Sequence, residues 1–221
     1  MEAIEEKNNH ILVCASTEGG KREFHADMVV HGGGRVADID DLNLSAAGVE
    51  SEKGGVKVNE YLQSVSNSAV YAAGDAASTG LPPLTPVAGY DGGIVASNLL
   101  KGNHSKTGHI AVPTVVFTVP PLASVGLSEG AAREQGLRFR VHWEKTGSWY
   151  SSRRVAEDCA GFKVLVEGGS GRVLGAHVLG PEADEFINVF ALAIQSGITA
   201  ETLEQTIFAY PTHSSDVAYM L

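Results

Sequence analysis

The stretch that most constrains this chain runs from Ala69 to Ala88. It reads Ala-Val-Tyr-Ala-Ala-Gly-Asp-Ala-Ala, a short spacer, then Leu84-Thr85-Pro86-Val87-Ala88. A small-residue apolar run ending in Gly74 and Asp75 predicts a strand that delivers one carboxylate to a sheet edge, where sugar hydroxyls can donate to it. Thr85 and Pro86 read as the cap and first position of a helix, whose unpaired N–H groups favour an anion or an electron-rich oxygen. Together these make half of a nucleotide site. Standing alone, Gly-Asp after a strand is also an ordinary turn, so the order of the flanking segments has to decide.

Upstream come Ala26-Asp27-Met28-Val29-Val30-His31-Gly32-Gly33-Gly34-Arg35, Leu42-Asn43-Leu44 and Ala47-Gly48-Val49. Downstream come Val112-Pro113-Thr114-Val115-Val116-Phe117-Thr118-Val119-Pro120, Ala123-Ser124-Val125-Gly126-Leu127-Ser128-Glu129, Gly171-Arg172-Val173-Leu174-Gly175-Ala176-His177 and Ala209-Tyr210-Pro211-Thr212. In this order the chain resembles the C-terminal part of the pyridine nucleotide-disulfide oxidoreductases, the family of glutathione reductase, dihydrolipoamide dehydrogenase and mercuric reductase. The resemblance covers nearly the whole chain. Three further family motifs are not in it: the G-x-G-x-x-G turn for FAD, the C-x-x-x-x-C redox pair, and the second G-x-G-x-x-G turn for NAD(P)H. Cys14 and Cys159 are too far apart to form the pair. Gly32-Gly33-Gly34 lacks the fingerprint spacing and reads as a crossover loop between domains.

The fold expected is α/β and α+β: a partial FAD/NAD(P)-binding domain followed by an α+β interface domain. Residues 1–32, alternating around Ile11–Cys14 and Met28–Val30 with a turn at Glu18-Gly19-Gly20-Lys21, predict a hairpin or small meander. The resemblance makes this the tail of the NAD(P)-binding domain. Residues 33–108 would hold the second half of the FAD domain, with a helix from Pro86 to about Leu100 stopped by Gly102. Gly89, Gly92 and Gly93 inside that helix each cost about 1 kcal/mol against alanine. They mark either tolerated poor propensity or close approach to a sheet or a bound ring. The acidic run from Asp38 to Asp41 reads as a solvated turn.

Residues 109–221 would form the dimerisation domain. Ser128 caps a short helix ending at Gly136, and strands follow around Phe139–Trp143, Phe162–Val166 and Val173–Leu179. Ala183, Phe186, Ile187, Phe190, Ala191 and Ile194 make a helical apolar stripe that stops at Gly197, and Thr199 caps the last helix. The stripe and the Tyr210–Leu221 tail are expected to need a partner surface. Trp143, Trp149 and Tyr150, flanking Arg153 and Arg154, read as a loop packed on the core or the dimer seam, or as a stacking patch.

A net charge of −10 argues against nucleic acid and anionic membrane surfaces as partners. No segment reaches transmembrane length, the start lacks a signal-peptide pattern, and two unpaired-looking cysteines imply a reducing, cytoplasmic setting. His25, His31, His104, His109, His142 and His177 are scattered without ligand spacing, so no metal is assigned.

The resemblance implies FAD and NAD(P)H as cofactors of the complete enzyme, with Gly74, Asp75, Leu84, Thr85, Pro86 and Ala88 at the flavin and neither cofactor held by this chain alone. It also implies a homodimer, with a missing N-terminal half as a further partner. In most of the family a His-Pro-Thr turn after the last helix, followed by a Glu, supplies the proton-shuttling base. Tyr210-Pro211-Thr212 stands here in its place, with Ser215 at the Glu position and Asp216 beside it. Tyrosine, with a pKa near 10, is a poor base at neutral pH. Tyr210 is therefore the catalytic candidate as a hydrogen-bond donor, and His213 reads as a surface or interface residue. Two functions remain: a C-terminal fragment of an FAD- and NAD(P)H-dependent oxidoreductase, not catalytic alone, or a stand-alone non-catalytic dimerisation module derived from that family.

Overall fold

A computed structural model describes residues 2–7, 10–108 and 111–221. His109 and the start of the third segment at residue 109 lie outside the described residues. The chain divides into two compact units, residues 1–37 and 38–221.

The first unit is an antiparallel meander of β1 (Ala3–Lys7), β2 (His10–Thr17) and β3 (Gly20–Ala26) in that order. Thr17 pairs with Gly20 across a two-residue turn, and the Thr17 hydroxyl donates to the Gly20 carbonyl at 2.9 Å. That turn explains one departure from the sequence reading. A two-residue loop commits the residues just after it to the returning strand, so β2 pairs with Gly20–Ala26, and Met28–Val30 lies beyond the sheet, with Met28 and Val30 exposed.

The second unit opens with short 3-10 turns at Asp40–Leu42 and Leu44–Ala47. A small sheet follows, made of β4 (Ser51–Glu52), β5 (Gly55–Lys57) and β6 (Ala77–Ser78), with β5 and β6 parallel. The strand expected over residues 69–73 is not formed. Tyr71 makes one isolated bridge to Gln63, and Gly74–Ala76 is a 3-10 turn. The run is alanine-rich, and alanine has little strand preference. Helix α1 (Thr85–Lys101) comes next.

From residue 111 on, five antiparallel strands take the order β7-β8-β11-β10-β9: β7 (Thr114–Val116), β8 (Leu122–Gly126), β9 (Phe139–Lys145), β10 (Gly161–Glu167) and β11 (Val173–Leu179). Helices α2 (Glu129–Glu134), α3 (Tyr150–Arg153), α4 (Ala183–Ser196) and α5 (Ala200–Gln205) connect or cover them. The expected caps form. Ser128 accepts from the Ala131 N–H at 3.2 Å and Thr199 from the Thr202 N–H at 3.2 Å, while Gly197 ends α4 in the left-handed region. Gly175 lets β11 pass close to the chain after β8, where a Cβ would lie 2.1 Å from the Leu127 carbonyl oxygen.

The core lies between α4 and one face of this sheet. Ala123, Val125, Phe162, Val164, Ala176 and Val178 meet Phe186, Ile187, Phe190 and Ala193, and the C-terminal Val217, Met220 and Leu221 join them. This corrects the expectation of a partner for the stripe and for Val217, Met220 and Leu221 of the tail, while Tyr210 and Tyr219 stay exposed. Ala183, Phe186, Ile187 and Phe190 are buried within the chain's own fold, Ala193 joins them, and Ala191 and Ile194 are half-buried at the edge. Phe190 is fully buried, so Phe190→Ala is expected to cost about 3–5 kcal/mol, read as a lower urea midpoint at an unchanged slope.

Candidate functional site

Two candidate regions emerge, built from different parts of the chain. The first joins the Gly74–Asp75 turn to the start of α1. Gly74 adopts φ +59, and a Cβ there would sit 2.8 Å from the Ala88 Cβ, so only glycine allows the turn to press against the first turns of the helix. Asp75 is exposed beside that contact. The helix start is shifted by one residue from the sequence reading. Leu84 is the cap, in extended backbone with no side-chain capping bond, Thr85 is the first helical residue, and Pro86 follows. Ala88 N–H donates to the Leu84 carbonyl at 3.0 Å. Proline has no N–H to leave unpaired, which suits the first turn. The N–H groups of Thr85 and Val87 remain as the uncapped positive end of a 17-residue helix.

Asp91 holds this junction together, and the sequence reading passed over it. Its Oδ2 accepts the Gly74 N–H at 3.1 Å while the residue is fully buried. Its Oδ1 is buried with no hydrogen-bond partner among the described residues. Burial pushes its pKa above the ordinary carboxylate value, against the lowering effect of the Gly74 N–H. A signal was present in the sequence. Val87, Asp91, Ile94 and Asn98 are the buried positions of α1, so two polar residues occupy an otherwise apolar helical stripe. Asn98 is fully satisfied, donating to the Tyr61 and Ser105 carbonyls and accepting from the His104 and Ser105 N–H groups. Asp91 is only half satisfied.

Gly89, Gly92 and Gly93 share a solvent-facing side of α1, and no described residue comes within 4 Å of where their Cβ atoms would stand.

The second region surrounds the C-terminal turn. Tyr210 is 76% exposed, and its ring stacks on Tyr150 at 6.1 Å with 27° between planes. Thr212 fixes the turn: its hydroxyl donates to the Ala209 carbonyl at 2.6 Å and accepts the Ser215 N–H at 3.2 Å. His213 is buried and lies parallel to Phe186 at 6.4 Å, which corrects the surface alternative of the surface-or-interface reading. The 3-10 helix His213–Tyr219 begins there and turns the imidazole inward onto α4. Asp216 accepts from the Ser151 hydroxyl. Its pKa is raised by burial, and the Ser151 bond and the nearby His213 work against that rise. Of the aromatic run read as a packed loop, Trp149 does pack, against Phe162 and Tyr219, whereas Trp143 lies exposed on β9 and Tyr150 is exposed in α3. Among the described residues, no group of three His, Cys, Asp or Glu side chains is placed to hold a metal.

Family models describe matching parts of this chain as pyridine nucleotide-disulphide oxidoreductase over residues 1–92 and as the dimerisation domain of that family over residues 112–221. A Staphylococcus aureus protein described as an uncharacterized 19.7 kDa protein in a mercuric resistance operon is 52% identical over 180 residues, which are 81% of this chain and 100% of that protein. Mercuric reductase of Lysinibacillus sphaericus is 33% identical over 96% of this chain and 38% of its own length. Dihydrolipoyl dehydrogenase of Bacillus subtilis is 32% identical over 95% of this chain and 44% of its own. Among solved structures, the Cu(II) complex of the HOCl-induced flavoprotein disulfide reductase RclA from Escherichia coli superposes with a TM-score of 0.82 at 26% identity. It covers 99% of this chain and 50% of that one. The chain thus spans half or less of these three enzymes.

Asp91 makes a test of the first region. A buried acid with a raised folded pKa destabilises the fold once ionised. Its contribution is therefore present at low pH and lost as pH climbs from the ordinary carboxylate range through the raised value. Asp91→Asn keeps an oxygen for the Gly74 N–H and cannot ionise, so thermal melts should show a flatter stability profile across that window and no loss at neutral pH. Asp91→Ala removes the partner of the half-buried Gly74 N–H and should cost about 1–3 kcal/mol. Equal losses for the two variants would show that the charge itself is needed.

Proposed function

The chain belongs to the pyridine nucleotide-disulphide oxidoreductase family, and on that premise we propose that it supplies the C-terminal share of an FAD site and a dimer interface and is not catalytic by itself. The observation that carries this reading is the uncapped start of α1 set against the Gly74–Asp75 turn. In it the Asp75 carboxylate takes hydroxyl donors of the FAD ribityl and pyrophosphate region. Leu84, Thr85, Pro86 and Ala88 present the positive helix end to the electron-rich edge of the flavin, and the open glycine face of α1 allows close approach of a ring. The residues present suit such a group, which when bound accepts hydride from nicotinamide. In this reading residues 1–32 are the end of an NAD(P)-binding domain, 33–108 the second half of the FAD domain and 109–221 the dimerisation domain, in a cytoplasmic homodimer.

Tyr210 is assigned beside the acceptor site of a complete assembly as a hydrogen-bond donor. Its exposed position on a turn held by Thr212 supports this. Dimerisation rests on the match to the dimerisation domain and on apolar side chains left open, including Phe117, Leu192 and Ile207, the last 98% exposed.

A second reading, a non-catalytic module acting alone, is favoured by one observation: a 19.7 kDa relative is matched over its whole length. Both readings leave little flavin on the purified chain and make it a dimer; they part on whether an added N-terminal half gives that chain activity. Mixed with FAD and desalted, it is expected to keep little flavin absorbance, because no pyrophosphate-binding glycine turn is present. Sedimentation at micromolar concentration is expected to show a dimer. Stoichiometric retained flavin would overturn the half-site assignment, and a monomer at all concentrations would remove the interface. In an assembly completed by an N-terminal half, Tyr210→Phe is expected to lower turnover roughly tenfold, the scale of one hydrogen bond. Unchanged turnover would make Tyr210 a packing residue.

A further inference from the structure

We propose that the recess between β9, α3 and the C-terminal tail binds a small organic cation, an alkylated ammonium or a guanidinium. A cavity of about 500 Å³ is lined there by Trp149, Tyr150, Tyr210 and Tyr219 together with Glu144 and Asp216. Among the described residues the lining holds four aromatic rings and two acids, and His142 Nε2 lies behind one of them, 4.0 Å from Glu144 Oε2. Such a cation gives up part of its hydration on entering, and ring faces with negative quadrupoles, backed by carboxylates, replace it. A hard metal ion would instead want a shell of oxygens, and an apolar ligand would make no use of Glu144 or Asp216.

The walls are organised before anything binds. Trp149 packs on Phe162 at 5.8 Å, and its indole N–H donates to Glu144 Oε1 at 3.1 Å. Tyr219 meets it nearly edge-on, at 6.3 Å and 83°. Tyr150 and Tyr210 form a second stacked pair. Tyr219 is 72% exposed and Tyr150 58%, so the rings open to solvent in the single chain. Asp216 is half-buried at the wall and accepts from the Ser151 hydroxyl, with burial raising its pKa against that bond and the nearby His213. The recess shares Tyr210 with the acceptor-side assignment, but its test needs neither FAD nor a second copy, so the two readings can fail separately.

The test is a titration with choline chloride against 3,3-dimethylbutan-1-ol, which has the same shape with carbon in place of the charged nitrogen. The chain has two tryptophans, so a Trp143→Phe background leaves Trp149 as the fluorescent reporter, and its indole N–H can be followed by NMR. Choline is expected to give a saturable response at least roughly tenfold tighter than the neutral alcohol, and Tyr219→Leu to weaken it by about the same factor. Glu144→Gln, which keeps an acceptor for Trp149, is expected to weaken it severalfold. Equal binding of the two probes, no saturable response to choline, or an unchanged choline affinity in folded Tyr219→Leu would each overturn the proposal.

Discussion

The packing of α4 against one face of the five-stranded sheet is the contact on which the second unit depends. Phe186, Ile187, Phe190 and Ala193 fill the space over Ala123, Val125, Phe162, Val164 and Val178. At about 1.5–3 kcal/mol for each large apolar side chain removed from water, this cluster holds the sheet, α5 and the chain end together. Its reach extends to the C-terminal turn. His213 rests on Phe186, and Val217, Met220 and Leu221 sink into the same cluster. The intervening residues are thereby carried to the rim, where Tyr210, Asp216 and Tyr219 meet Trp149 and Tyr150. A disturbance in the middle of α4 would therefore be felt at a surface none of its residues lines.

The Gly74–Asp91 bond plays a smaller version of the same part at the other candidate region. A turn of 3-10 geometry and a 17-residue helix are joined by one buried carboxylate oxygen and one close glycine contact. The second oxygen of Asp91 has no partner, which makes the junction electrostatically costly when the group is ionised. Polar groups at this depth fix geometry at some expense in stability. The consequence is a helix start held beside an exposed Asp75.

Local features were legible in the sequence because their energetics are local. Ser128 and Thr199 cap helices through bonds to residues three positions away, Gly197 takes a conformation few other residues tolerate, and the spacing of Ala183, Phe186, Ile187 and Phe190 marks one helical face. The family was legible from the order of its motifs, which the matched models and relatives bear out. The strand placed at residues 69–73 and the second strand placed at Met28–Val30 were misread, each where apolar residues occur without the pairing partner a strand needs.

What the sequence determined by itself, then, was the family, the α/β character, the helix caps and the apolar face of α4, since each depends on residues within a few positions of one another or on the order of short motifs. Only the tertiary structure decided that the α4 stripe is satisfied within the chain, that Asp91 accepts from Gly74, that His213 turns inward, and that Glu144, Trp149, Tyr150, Tyr210, Asp216 and Tyr219 border one recess. The reason is physical: burial and side-chain contact are set by which distant segments share a core, and no periodicity along the chain encodes the distance between Glu144 and Tyr219.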